Sequence, residues 1–152
     1  MVVYKHRYLV LEIYLNPDRE DKDDGAFSDV AITIAIKQSL EANFGEHGLA
    51  ASLIRLKVQY FNPVTKLCIV RCLRREYQKI WCAITLITSI GNCPAFFNLL
   101  DLNGSIRSCK KYALKYDKAK FALYNLMQGG RQCEEVHKLA FNCFEKIKRL
   151  EG

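Results

Sequence analysis

No GxSxG elbow, Walker loop or HExxH helix occurs in the sequence, and no two carboxylates are spaced to converge on one cleft. The adjacent acidic pairs Asp23-Asp24 and Glu134-Glu135 fall in a polar loop and in a helix, so neither supplies an acid–base couple. Gly104-Ser105-Ile106 has one glycine where a phosphate-cradling loop uses several, leaving only a turn's backbone N–H groups for an anion. CxxC is absent as well. The seven cysteines, Cys68, Cys72, Cys82, Cys93, Cys109, Cys133 and Cys143, are odd in number, and several stand at apolar-face positions. Reduced, buried thiols fit that distribution better than a disulfide framework. Cys133 and His137 lie one helical turn apart, but zinc takes three or four ligands and no second pair has suitable spacing. No catalytic residue, metal site or protein-bound cofactor is expected. The longest apolar run, Ile80 to Ile90, is too short to span a bilayer. Met1–Leu15 is broken by Lys5, His6, Arg7 and Glu12 and lacks a small-residue cleavage site, so it does not read as a signal peptide. A soluble, intracellular protein without a membrane partner is expected.

What the chain has in excess is positive charge, unevenly placed. The net charge is +7 over 152 residues. Residues 1–60 hold seven Lys/Arg against nine Asp/Glu, and residues 61–152 hold sixteen against seven. A basic half beside an acidic half points to a polyanion on one side. Lys5 and Lys22, in the acid-rich half, are expected to contribute little to binding it. The length suits one domain, residues 1–152, that buries roughly 70% of its unfolded surface.

Arg7 to Tyr14 reads as a strand, and Asn16 to Gly25 as a polar, mostly acidic loop. Ser28 caps a helix that runs to about Phe44, where Gly45 closes it. In residues 53–61, Ile54, Leu56, Val58 and Tyr60 alternate with Arg55, Lys57 and Gln59, the period of a half-buried strand. Asn62-Pro63 turns the chain. Leu67, Cys68, Ile69, Val70 and Cys72 are apolar on both pleat faces, so residues 66–73 belong inside a sheet. Residues 76–90 form a helix with Ile80, Ala83, Ile84 and Ile87 inward, stopped at Gly91-Asn92, and residues 93–102 form a fourth strand. Two helices follow, 106–127 and 132–150, hinged at Gly129-Gly130. The order βαββαβ predicts an α/β (α+β) fold with a ferredoxin-like or RRM-like four-stranded antiparallel sheet over residues 1–105. Residues 106–152 are a helical extension that could cover part of the open sheet face.

Arg71, Arg74 and Arg75 stand at the end of a strand and the start of a helix, where the helix's positive partial charge makes cations unwelcome. They turn away, or an external anion compensates them. Arg107, Lys111, Lys115 and Lys118 fall on one stripe of the next helix, Lys110 lies beside it, and only Asp117 offers an acid nearby. Tyr112, Tyr116, Ala119 and Leu123 make the stripe expected to face the protein. The strand KLCIVRCL lacks the aromatics of an RNP1 motif, so an RNA would be held by shape and phosphate contacts rather than by stacked bases. Phe96, Phe97, Leu114 and Phe121 exceed what one core face needs and are candidate partner surface.

MVVYKHRYLVLEI, FNPVTKLCIVRCLRREYQKIW and FFNLLDLNGSIRSCKKYALKY, in this order, resemble the "processing of precursor" subunit-five family shared by ribonuclease P and RNase MRP. The most specific residues are Asn62 with Thr65, Ile69-Val70-Arg71-Cys72 with Arg74, Tyr77 and Trp81, and Gly104-Ser105-Ile106-Arg107 with Cys109 and Lys111. Family members often end in an acidic tail, and this sequence ends at Gly152 without one. The resemblance implies a ferredoxin-like fold and a place in a nuclear, nucleolar ribonucleoprotein that removes the 5′ leader of precursor tRNA and processes rRNA. There the RNA is the catalyst, Mg²⁺ sits on the RNA, and the subunit pairs with a TIM-barrel-like protein. The competing reading is a stand-alone ferredoxin-like enzyme or small-anion module in which Arg71 and Arg74 grip a phosphate or carboxylate.

Overall fold

The computed structural model describes residues 4–15, 28–127 and 134–150; the loop from Asn16 to Gly25, the Gly129-Gly130 junction and Cys133 lie outside them. In chain order the elements are β1 (His6–Leu15), α1 (Asp29–Leu53), β2 (Lys57–Phe61), β3 (Leu67–Leu73), a 3₁₀ turn (Arg74–Glu76), α2 (Tyr77–Thr85), β4 (Ser89–Ile90), β5 (Cys93–Asn103), α3 (Ile106–Met127) and α4 (Glu134–Lys148). The strands form one antiparallel sheet in the order β2-β3-β1-β5-β4. The fifth strand comes from residues 89–90, which the periodicity assigns to a helix. That helix stops at Thr85 instead. Gly91, with φ 59°, is the first residue of a two-residue turn, and Ile90 then pairs with Cys93. Ile87 and Ile90 are buried either way, so an apolar spacing of three did not separate helix from hairpin.

Both faces of β1 and β3 are covered, which explains the apolar runs Leu9–Leu11 and Leu67–Val70 at their centres. On one face Leu9, Leu11 and Ile13 of β1 meet Cys68, Val70 and Cys72 of β3 beneath Ile32, Ile36 and Leu40 of α1 and Ile80 and Ile84 of α2. On the other, Tyr8, Val10, Leu67 and Ile69 pack against Cys109 and Ala113 of α3 and Ile147 of α4. Each aliphatic side chain so buried contributes about 1.5–3 kcal/mol. The two C-terminal helices thus lie over this second face of the sheet. They are held together by Phe121 and Phe144 edge to face at 5.8 Å.

Three further elements differ from the periodicity. The first helix does not close at Gly45; the glycine takes φ 74° and the chain resumes helical structure to Leu53. The next turn fits because Gly48 has no side chain: a Cβ there would come 2.5 Å from that of Phe44. Second, the strand after it begins at Lys57 rather than near Leu53, and a bulge lies between Val58 and Tyr60. The bulge sends Val58 to the α1 face and Tyr60 to the α3 face, where strict alternation would give them one face. Third, the buried stripe of α3 is Cys109, Ala113, Asp117 and Phe121, whereas Ala119 and Leu123 are exposed and Tyr112 and Tyr116 are half-buried flanks.

Asp117 explains that last shift. Its carboxylate is fully buried and accepts from the Tyr60 hydroxyl at 2.7 Å, the Thr65 hydroxyl at 2.7 Å and the Asn62 amide at 3.3 Å. The Asn62 side-chain oxygen in turn accepts from the N–H groups of Val64 and Thr65, shaping the turn between β2 and β3. Asp117 therefore fastens the hairpin to α3 and is not the acid that neutralises the lysine stripe.

Candidate nucleic-acid interface

The antiparallel register sets the site. His6 of β1 pairs with Leu73 of β3, so the chain before β1 lies beside the 3₁₀ turn, and the Arg74 N–H donates to the Lys5 carbonyl at 2.8 Å. A cleft of about 550 Å³ opens there. Its cations are Lys5, Arg7, Arg74 and Arg75, its aromatic lining is Tyr4 and Tyr77, and Leu73 and Leu102 supply apolar surface. Among the described residues, no carboxylate lines it. The nearest acid in the turn, Glu76, is engaged at 2.7 Å by Lys79. Arg7 is held in place, its Nη1 donating to the His6 carbonyl at 2.9 Å, and it lies against Gly104, where a Cβ would come within 3.3 Å of that nitrogen.

The same end of the sheet carries Arg55, Lys57 and Arg71. Arg71 Nε donates to the Arg55 carbonyl at 3.1 Å, and the Arg55 guanidinium lies 5.1 Å above the Tyr4 ring. Arg55 takes φ 62°, so this bond holds a strained turn just before β2. Burial lowers the His6 pKa, and the charges of Arg71 and Arg55 lower it further, a local measure of the positive field. Because Tyr8 of β1 pairs with Asn103 of β5, α3 also begins at this end.

On α3, Arg107, Lys111, Lys115 and Lys118 are all exposed, and they do not behave alike. Lys118 Nζ lies 5.9 Å over the Phe144 ring. Lys110 Nζ donates to the Lys148 carbonyl at 3.0 Å and so caps the end of α4. Farther along, Lys120 pairs with Glu12 at 2.9 Å. Among the described residues the side chains of Arg74, Arg75, Arg107, Lys111 and Lys115 enter no hydrogen bond or ion pair, which leaves them available to an outside anion.

The structure gathers Arg74 and Arg75 in the cleft with Lys5 and Arg7, leaves Arg71 outside it on the Arg55 carbonyl, and brings the start of α3 to the same end of the sheet. Lys5, which charge counting places among the bystanders, stands in the cleft itself; Lys22 lies outside the described residues. The cross-strand register was the signal that would have found it. Of the four candidate partner residues, Phe97 and Phe121 are buried in the chain's own cores, and Leu114 of α3 is partly buried against the core on that face of the sheet. Phe96 alone is well exposed, at 57%, and it stacks on Tyr14 at 4.7 Å. The described cysteines are buried except Cys82, and burial pushes the Cys72 and Cys109 thiols up to about 12, far from a nucleophile's range.

Residues 7–114 match the model of the family described as Rpp14/Pop5. Over 161 aligned residues, covering all of both chains, the sequence is 44% identical to a probable ribonuclease P/MRP protein subunit POP5 of Arabidopsis thaliana. It is 31% identical over 127 residues to the ribonuclease P/MRP protein subunit POP5 of Homo sapiens, covering 81% of this chain and 76% of that one. A chain in a cryo-electron microscopy structure of yeast ribonuclease MRP superposes with a TM-score of 0.52 at 16% identity, over 70% of this chain and 79% of that one, a likeness of fold.

Proposed function

The chain belongs to the Rpp14/Pop5 family, and from that premise we propose that it is a non-catalytic protein subunit of ribonuclease P and RNase MRP. In this reading it binds and stabilises the catalytic domain of the RNA during 5′-leader removal from precursor tRNA and during rRNA processing. It works in the nucleus and nucleolus beside a TIM-barrel-like subunit, and Mg²⁺ resides on the RNA. The strand order, with one helix between β1 and β2 and another between β3 and β5, supports the ferredoxin-like arrangement for the core.

The observation that carries the proposal is the set of unneutralised cations at one end of the sheet and along α3. Folding an RNA active site crowds phosphates, and fixed cations offset that repulsion without entering the chemistry. With α3 and α4 over the sheet, binding runs through these charges rather than through bases stacked on the strands. Purified chain freed of RNA is expected to leave precursor tRNA uncut. Turnover by the RNA-free protein would overturn the non-catalytic assignment. The small-anion reading relies on Arg71 and Arg74, of which Arg74 lines the cleft while Arg71 donates to the Arg55 carbonyl; pure chain that binds inorganic phosphate at micromolar Kd yet ignores the structured RNA would favour it.

Phe96 and Tyr14 are the proposed contact for a neighbouring subunit. Phe96→Ser, at an exposed position, should leave the fold intact and lower incorporation into the reconstituted particle by about tenfold, as loss of an aromatic anchor does. Incorporation equal to wild type would exclude this contact.

A further inference from the structure

The cleft holds more than a phosphate needs. Anion sites on duplex nucleic acid are built from donors and cations alone, because an A-form helix presents its backbone outward and keeps its bases inside. Here the four cations share the cleft with two tyrosines and two leucines. At about 550 Å³ it falls within the roughly 300–1,000 Å³ of sites that enclose small ligands, well beyond a single phosphate group. Among the described residues nothing neutralises it: Glu76 is turned onto Lys79, and no described carboxylate lines the walls. Arg7 is fixed by the His6 carbonyl and packed against Gly104, and Tyr4 has one ring face under the Arg55 guanidinium. Both groups are thus held in position by the chain itself, as recognition groups need to be.

Resting on the RNA-subunit reading, we propose that this cleft captures one unstacked nucleotide of the RNA. The base lies against the aromatic and leucine surface, and the flanking phosphates are held by Arg74, Arg75 and Lys5. An unpaired nucleotide presents both halves of this chemistry at once, a flat apolar face and a charged backbone. The strand leaving the cleft past Gly104 meets the start of α3, where Arg107 and Lys111 continue the positive track. The subunit then recognises a local single-stranded feature, such as a bulge or junction, in addition to backbone charge.

The test uses the reconstituted ribonucleoprotein with p-benzoylphenylalanine in place of Tyr4 and, in a second preparation, in place of Lys115. After irradiation, the crosslinked nucleotides are mapped by primer extension and compared with chemical probing of base pairing. The expected result is one dominant unpaired nucleotide from position 4. Its yield should fall about fivefold or more in an Arg74→Ala/Arg75→Ala background, while the yield from position 115 holds. Both arginines are exposed, so this background keeps the fold, which a melting curve verifies. Crosslinks from position 4 that go only to paired nucleotides, only to protein, or nowhere overturn the proposal. If position 115 still reaches RNA in those cases, the RNA-subunit reading stands without the cleft. If neither position reaches RNA although the subunit is in the particle, the proposed RNA contact falls with it.

Discussion

Asp117→Ala is expected to lower the stability of the folded chain by about 2–4 kcal/mol, and Asp117→Asn by less than about 1 kcal/mol. The alanine variant leaves the Tyr60 hydroxyl, the Thr65 hydroxyl and the Asn62 amide buried without their acceptor. Each such donor costs about 1–3 kcal/mol, reduced where a hydroxyl rotates to another partner. Asparagine keeps one acceptor for Tyr60 and Asn62, and its amide can donate to the Thr65 oxygen, since a hydroxyl both donates and accepts. At about 2–4 °C per kcal/mol for a chain of this size, the alanine variant should melt roughly 5–15 °C lower. An unchanged melting temperature would remove Asp117 as the clasp between hairpin and α3.

The pH dependence follows with opposite signs for two carboxylates. Burial raises the Asp117 pKa, and the hydrogen bonds from Thr65, Tyr60 and Asn62 only partly reverse that. A raised folded-state pKa means that the folded chain binds this proton more tightly than the unfolded one. Its contribution is full below the unfolded value of about 3.9 and is lost as pH rises through the folded value. Wild type should therefore lose ground to Asp117→Asn as pH rises across that window. For Glu12, burial raises the pKa, but Lys120 and the Tyr14 hydroxyl more than offset it, so the folded value is depressed. Its contribution is present above the unfolded value and lost as pH falls through the depressed one. Wild type should lose ground to Glu12→Gln on acidification. Parallel slopes for the two variants in a melting series from acid to neutral pH would contradict this assignment.

How far the sequence reveals this molecule depends on the range of the forces involved. The apolar run of LCIVRCL shows a strand buried on both faces, and β3 is one, because pattern and burial are both local there. Asn62-Pro63 likewise announces its turn. A bulge leaves no mark on composition, so the opposite facing of Val58 and Tyr60 is invisible until β3 fixes the register. Gly45 signals a break in direction, but whether the helix ends or kinks depends on Gly48 fitting against Phe44. Asp117 looks like a surface residue because its three donors come from a hairpin far away in sequence. The matched pair Asn62 and Thr65, carried by the family resemblance, turns out to serve that clasp. Lys5 was hidden for the same reason: charge counted along the chain assigns it to the acid-rich half, whereas the β1–β3 ladder places it beside Arg74.

That distinction between charge in sequence and charge in space gives the second large expected effect. In reconstituted ribonucleoprotein, Arg74→Ala/Arg75→Ala and Lys111→Ala/Lys115→Ala should each flatten the log–log salt dependence of RNA binding by roughly 1–2 units. Each lost phosphate contact removes about 0.7–0.9. Lys110→Ala and Lys118→Ala, although adjacent on α3, should hardly change the slope. Lys110 already serves the Lys148 carbonyl and Lys118 lies over the Phe144 ring, so their removal acts on the packing of α4 instead. Arg74→Lys should weaken binding while Lys115→Arg should not, because a guanidinium can hold a phosphate through two parallel bonds and an ammonium cannot. Both double variants should also need more Mg²⁺ for full activity, since mobile cations must take over from fixed ones. A Lys111→Ala/Lys115→Ala particle with wild-type salt slope and Mg²⁺ requirement would reduce the α3 stripe to a solvated face. The cleft variant measured alongside it then decides whether the basic end of the sheet carries the RNA by itself.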